Sequence, residues 1–153
     1  MIEPTLDDRE RARRIRVETS FGGFDVDPQD VLLFPDGLPG FEQCRHFVVM
    51  SDPAGGLLYC LHAVDGPEAS FLAVDPRLVL PTYRCDLSTA DRQRLRADAH
   101  TSLLWLALVT MADEQAGTIN LRAPIVINPA GMIGYQVMPH NTLYPLRHPL
   151  RLG

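Results

Sequence analysis

The chain has 153 residues, 46% of them hydrophobic and 22% charged, which supports one domain with a real core and excludes wholesale disorder. Its 14 basic residues, all arginine, are outnumbered by 19 acids, for a formal net charge of -5. That balance makes the chain a poor general binder of phosphate backbones and suits a basic protein partner.

No stretch reads as a signal peptide, and the longest apolar run, Leu103 to Val109, is too short to span a membrane. Three widely spread cysteines, Cys44, Cys60 and Cys85, do not suggest a disulfide framework and favour a reduced, cytoplasmic setting.

Residues 1–14 are expected to form a flexible Arg-rich extension, and residues 15–150 a single domain. Acids interleave with the arginines of the extension, which favours a solvated tail over a basic arm for RNA. Ile15, Val17, Thr19 and Phe21 alternate with polar residues as in a half-buried strand. Gly22-Gly23 then reads as a hairpin turn, with Phe24 and Val26 on the returning strand. Val31 to Phe34 is a short strand leading into FPDGLPGFE, residues 34–42.

In that loop proline twice stands just ahead of glycine. Proline presets φ and glycine accepts a positive φ, and Pro39-Gly40 fits a type II turn. The loop is therefore nearly fixed in shape. Phe34 and Phe41 are expected to anchor its ends, with Leu38 at its tip. It suits both a rigid recognition loop and a structural corner, and residue types alone do not separate the two.

His46 to Met50, Leu57 to Val64 and Phe71 to Val74 read as strands separated by DPAGG and DGPE turns. Leu78 to Tyr83 contains Pro81 and reads as an edge strand or an irregular segment. Ser88 to Ala97 carries a cap, an early aspartate and good helix formers, and is expected to be the one helix. Ser102 to Met111 reads as a central strand. Thr118 to Asn128 reads as one strand with Ile119, Leu121, Ala123, Ile125 and Ile127 on one face and Asn120, Arg122 and Asn128 pointing outward. Pro124 suggests an edge or a bulge there. Met132 to Met138 returns as a strand, and the last twelve residues are expected as an extended segment over the body. The fold class is thus mainly β, a small closed or partly open β-barrel-like domain with one short helical insertion.

Cys44-x-His46 and Cys60-x-His62 share a spacing that could converge on zinc, but the spacing matches no zinc-finger pattern and no metal is assigned. Cys60 with His148 and an aspartate would be a conceivable nucleophile and base. No motif supports it, and no catalytic residue or cofactor is assigned. Arg147-His148 beside Pro149 reads more readily as packed or solvated than as chemically active. The alternative to a binding protein is a small β-barrel hydrolase or metal-dependent enzyme.

FGGFDVDPQDVLLFPDGLPGFE, VDP at 74–76, LRAPIVIN at 121–128 and YPLRHPL at 144–150 occur in that order. Together they resemble the flagellar assembly factor FliW family over about residues 15–150. The resemblance implies a non-enzymatic cytoplasmic protein with two partners, flagellin before its export and the RNA-binding repressor CsrA, and no direct nucleic-acid or membrane contact. Candidate partner-binding residues are Phe34, Leu38, Phe41, Glu42, Asn120, Arg122, Asn128, Arg147 and His148.

Overall fold

Apolar alternation sets the first hairpin, but not where glycine suggests. The structure, a computed structural model of the protein, describes residues 14–19, 21–139 and 143–152, so the 1–14 extension lies outside the described residues except for Arg14. Strands β1 (Ile15–Thr19) and β2 (Gly22–Val26) pair with Thr19 opposite Gly22. Gly22-Gly23 therefore opens β2 instead of forming the turn. The observed register sets Val17 opposite Phe24 and Ile15 opposite Val26, so the apolar residues share one face and pack on Val48.

The remaining strands are β3 (Leu32–Leu33), β4 (His46–Ser51), β5 (Tyr59–Ala63), β6 (Ser70–Val74), β7 (Leu104–Met111), β8 (Ala116–Ile119), β9 (Ile125–Asn128), β10 (Ile133–Gln136) and β11 (His148–Arg151). They form one sheet in the order β11-β8-β7-β6-β5-β4-β3-β10-β9. β9 pairs back onto β7, so the sheet closes into a barrel, with β8 and β11 extending from β7 beyond the closure. The fold class is mainly β and barrel-like, as expected. Inside lie Phe34, Phe47, Leu61, Leu106, Ile125 and Ile127, with Phe34 and Phe47 in edge-to-face contact at 5.0 Å.

The expected single strand over Thr118 to Asn128 is divided. Both pieces run along β7, with Ile119 opposite Val109 and Ile125 opposite Leu106. Two residues of β7, Ala107 and Leu108, thus stand against five of the facing segment, and the excess loops out at 120–124. The Asn120 side chain accepts from the N–H groups of Arg122 and Ala123 at 3.1 and 3.0 Å, which folds the chain there. Pro124, with no N–H to give, lies within the irregular stretch.

The tail also departs from expectation. Residues 148–151 form a true strand that pairs antiparallel with β8.

Two short α-helices are present among the described residues, besides a single 3-10 turn at Pro28–Asp30. α1 (Pro76–Val79) takes in the start of the segment expected over Leu78 to Tyr83 as an edge strand or an irregular stretch, and residues 80–83 are irregular. Pro76 stands in the first turn, and the Asp75 carboxylate accepts from Arg77 N–H at 2.9 Å, so this pair starts a helix there. α2 (Thr89–Arg94) is the expected helix in shorter form, capped by the Ser88 hydroxyl. Fully buried Leu95 roots its C-terminal end, and Arg96 takes a positive φ of 56°.

Asn128 was expected to point outward and is instead only 2% exposed. Its amide donates to Leu95 O at 2.8 Å, and its Oδ1 accepts from Ala130 N–H at 3.2 Å. β9 is buried on both faces, because Val126 packs with Leu95 and Val137 on the side away from the barrel interior.

Two substitutions test this packing. A Cβ on Gly134 would lie 2.6 Å from the Phe34 ring, so Gly134→Ala should cost about 1–3 kcal/mol in urea unfolding. Asn128→Asp should lose a similar ~1–3 kcal/mol at neutral pH by turning a carboxylate toward the Leu95 carbonyl, and part of that loss should return in acid.

Candidate partner-binding surface

Three successive turns build the 34–44 corner. Gly37 N–H donates to Phe34 O at 2.9 Å, Phe41 N–H to Leu38 O at 2.7 Å, and Cys44 N–H to Phe41 O at 3.0 Å. Pro35 and Pro39 each hold the second position of their turn. Gly40 has φ +84°, as the third position of a type II turn requires. Gly37 has φ +61°, and a Cβ there would come within 2.7 Å of Phe41 O. The corner is thus closed on its own backbone.

Leu38, expected at the tip, is 2% exposed and packs in the barrel core with fully buried Phe34. These two side chains hold the corner down and present nothing to a partner. Phe41 is different. It is 38% exposed, with its ring edge-to-face against Phe71 at 5.0 Å. Exposed Glu42 accepts from Gly40 N–H at 3.0 Å, and that bond holds its carboxyl below the usual carboxylate range. Phe41 and Glu42 line a cleft of about 270 Å³ with Gly40, Gln43, Cys44 and Pro67. Next to it, Asp65 bonds to His46 Nδ1 at 2.7 Å and accepts from the N–H groups of Arg45 and His46. Burial alone would raise the Asp65 carboxyl, but the bonds to His46 and Arg45 outweigh it and lower it.

The other candidates lie elsewhere. Arg122 is exposed, and its Nε donates to Tyr144 O at 3.0 Å. Asn120 and Arg147 line a second, larger groove of about 660 Å³ with Leu108, Thr110, Thr118 and Leu146. His148 lies opposite Ile119 in the β11 ladder. Phe41 and Glu42 thus lie at the corner, Asn120 and Arg147 along the groove, and Arg122 in the 120–124 loop. His148 shares the opposite side of β11 with Ile119, Phe34 and Leu38 lie inside the barrel, and Asn128 is buried beneath Leu95 on its outer side. Sequence reading missed Thr110 and Thr118. Their signal was small residues alternating along TMA and AGTIN, which leaves a sheet face without bulky cover.

A model of the FliW protein family matches residues 16–150. The chain belongs to the FliW family. It is 37% identical over 139 residues to the flagellar assembly factor FliW of Moorella thermoacetica, covering 89% of this chain and 88% of that one. With the flagellar assembly factor FliW of Syntrophotalea carbinolica it shares 34% over 134 residues, covering 88% and 96%. A crystal structure of the flagellar assembly factor FliW superimposes with a TM-score of 0.80 at 29% identity, covering 88% of this chain and 95% of the other.

Among the described residues the three cysteines lie apart from one another and from His148. Cys44 donates to Pro67 O at 3.1 Å and is kept a thiol by burial and by the Asp65 charge. Burial and nearby aspartates push Cys85 up to about 11. Cys60 touches Ser70 Oγ at 3.1 Å, and β6, β7 and β8 separate it from His148. Among the described residues no group of three or more His, Cys, Asp or Glu is placed to hold a metal ion, so the two Cys-x-His pairs do not converge. No helix there is long and apolar enough to cross a membrane.

His62 is 5% exposed, and its Nδ1 has no hydrogen-bond partner. Burial lowers its pKa, against a smaller opposing pull from Glu68. A buried neutral imidazole stabilises the fold above the unfolded-state value of about 6.5, and that contribution is lost as pH falls below it. The urea midpoint should therefore drop between neutral pH and pH 5, and more steeply than in His62→Leu; parallel profiles would clear His62. At the corner, Leu38→Asp should collapse the fold, at a cost of ~3 kcal/mol or more. Phe41→Ser should leave thermal melting nearly unchanged, by comparison.

Proposed function

We propose that this chain is a cytoplasmic flagellar assembly factor that binds flagellin before export and antagonises the translational regulator CsrA. The observation that carries this reading is the family match over residues 16–150, nearly the whole chain. Partner switching then follows from mass action. The partner in excess occupies the protein and leaves the other free. Accumulated flagellin would hold it and release CsrA to repress. Exported flagellin would free it to sequester CsrA.

The chemistry of the corner supports a docking role. Phe41 offers a half-exposed aromatic anchor on a backbone already fixed by its turns, so little ordering cost remains on binding. Glu42 adds a carboxylate that stays charged in mild acid. With an overall charge of -5, the surface attracts a basic RNA-binding protein and repels the RNA it carries. Phe34 and Leu38 serve this role only by fixing the corner from beneath.

Titration of the purified chain with flagellin and with CsrA from the same organism tests the proposal. Each should bind, and each should displace the other's share as its concentration rises. Phe41→Ser should weaken at least one complex by about tenfold, or ~1.4 kcal/mol. If neither protein binds the wild-type chain, the reading is wrong.

A further inference from the structure

The larger groove has a charge pattern of its own. After Glu114 the chain contains no aspartate or glutamate to its end, while Arg122, Arg147 and Arg151 all fall in that stretch. The 19 acids are therefore confined to the first 114 residues, and the rest of the chain carries only positive charge. Arg147 lines the groove. Arg151 pairs with Ala116, and Pro149 with Thr118. Thr118 in turn pairs with Thr110, so these side chains share one sheet face. The opposite face of the same strands is sealed, with Val109, Ile119 and Leu150 in an apolar cluster. Arg147 and Arg151 are exposed, and among the described residues neither makes an ion pair. The acids nearest in sequence, Asp113 and Glu114, sit in the turn at one end. The Asp113 carboxylate is engaged there by the N–H groups of Gln115 and Ala116.

We propose that this groove is a docking site for an acidic amphipathic helix of a partner protein, with Arg147 and Arg151 holding its carboxylates. The groove is a sheet face and not an edge, since β8 is paired with β7 on one side and with β11 on the other. β11 itself is the outermost strand of the sheet, but an occupant seated over β8 cannot add a strand and must satisfy its own backbone, which a helix does. The floor is short, with Ala112, Ala116, Gly117 and Thr118, so a helix can approach closely and seat its larger apolar residues. Leu146, 51% exposed, is a ready contact at the wall. From Arg147 to Arg151 an extended chain covers about 13 Å. Two turns of helix cover about 11 Å, so carboxylates seven or eight residues apart on one helix face match the pair. The helix lies with its acids over β11, away from the Glu114 turn.

The site is separate from the Phe41 corner, and its test uses neither flagellin nor CsrA, so it stands or falls apart from the proposed function. Two labelled synthetic helices of equal length are titrated against the full chain by fluorescence anisotropy. They share one leucine and alanine face and differ only in carrying two glutamates or two lysines seven residues apart. The glutamate helix should bind about tenfold more tightly, less so as salt is raised. R147E combined with R151E should reverse the preference. T118W, which fills the groove without altering charge, should abolish binding of the glutamate helix. Both substitutions fall on solvent-facing positions, and the surface charge reversal carries the test by itself should T118W lower the melting temperature. Saturable binding by neither helix, an unreversed preference, or a bound peptide without helical circular dichroism would each overturn the proposal.

Discussion

The closure of the barrel depends on β7. One edge of this strand pairs with β6. The other must serve two segments, β8 near its end and β9 near its start. The three surplus residues between them are taken up in a loop whose shape the Asn120 side chain fixes. Without that excess the second segment would continue the first in register and could not turn to meet β10. Pairing of β9 with both β7 and β10 is what buries Ile125 and Ile127 inside and leaves β8 and β11 projecting past the ring. The sealed core, the α2 anchor at Asn128 and the open β8–β11 face all follow from this one looped junction.

The 34–44 corner sends its side chains two ways from one fixed backbone. Phe34 and Leu38 point inward and fix its position; Phe41 and Glu42 point outward on a backbone that its turns have already set. Rigidity of this kind lowers the ordering cost of any contact made through Phe41. The charge distribution adds a second division. Acid is confined to the first 114 residues, while Arg147 and Arg151, just before and on β11, make no ion pair among the described residues.

Local physical chemistry determined much of this molecule from the sequence alone. Strand alternation, proline ahead of glycine, the Ser88 cap and the family resemblance each depend on residues adjacent in the chain or on ordered motifs. A mainly β barrel with a short capped helix and a type II turn at Pro39-Gly40 was therefore legible. Exposure was legible only in part, since the same reading put Leu38 and Asn128 at the surface together with Phe41 and Glu42.

Tertiary structure decided the rest. Which way Leu38 points depends on how the corner closes on its own turns, and no sequence period reports that. Asn128 lies in a strand covered on both faces, where alternation ceases to separate inside from outside. The hairpin register was set by matching Val17 to Phe24 across two strands, a pairing energy that outweighed the turn preference of Gly22-Gly23. The face bearing Thr110, Thr118 and Arg151 is complete only because β11, far along the chain, pairs onto the β7–β8 hairpin, and long-range pairing of that kind is visible to the fold and not to any local window.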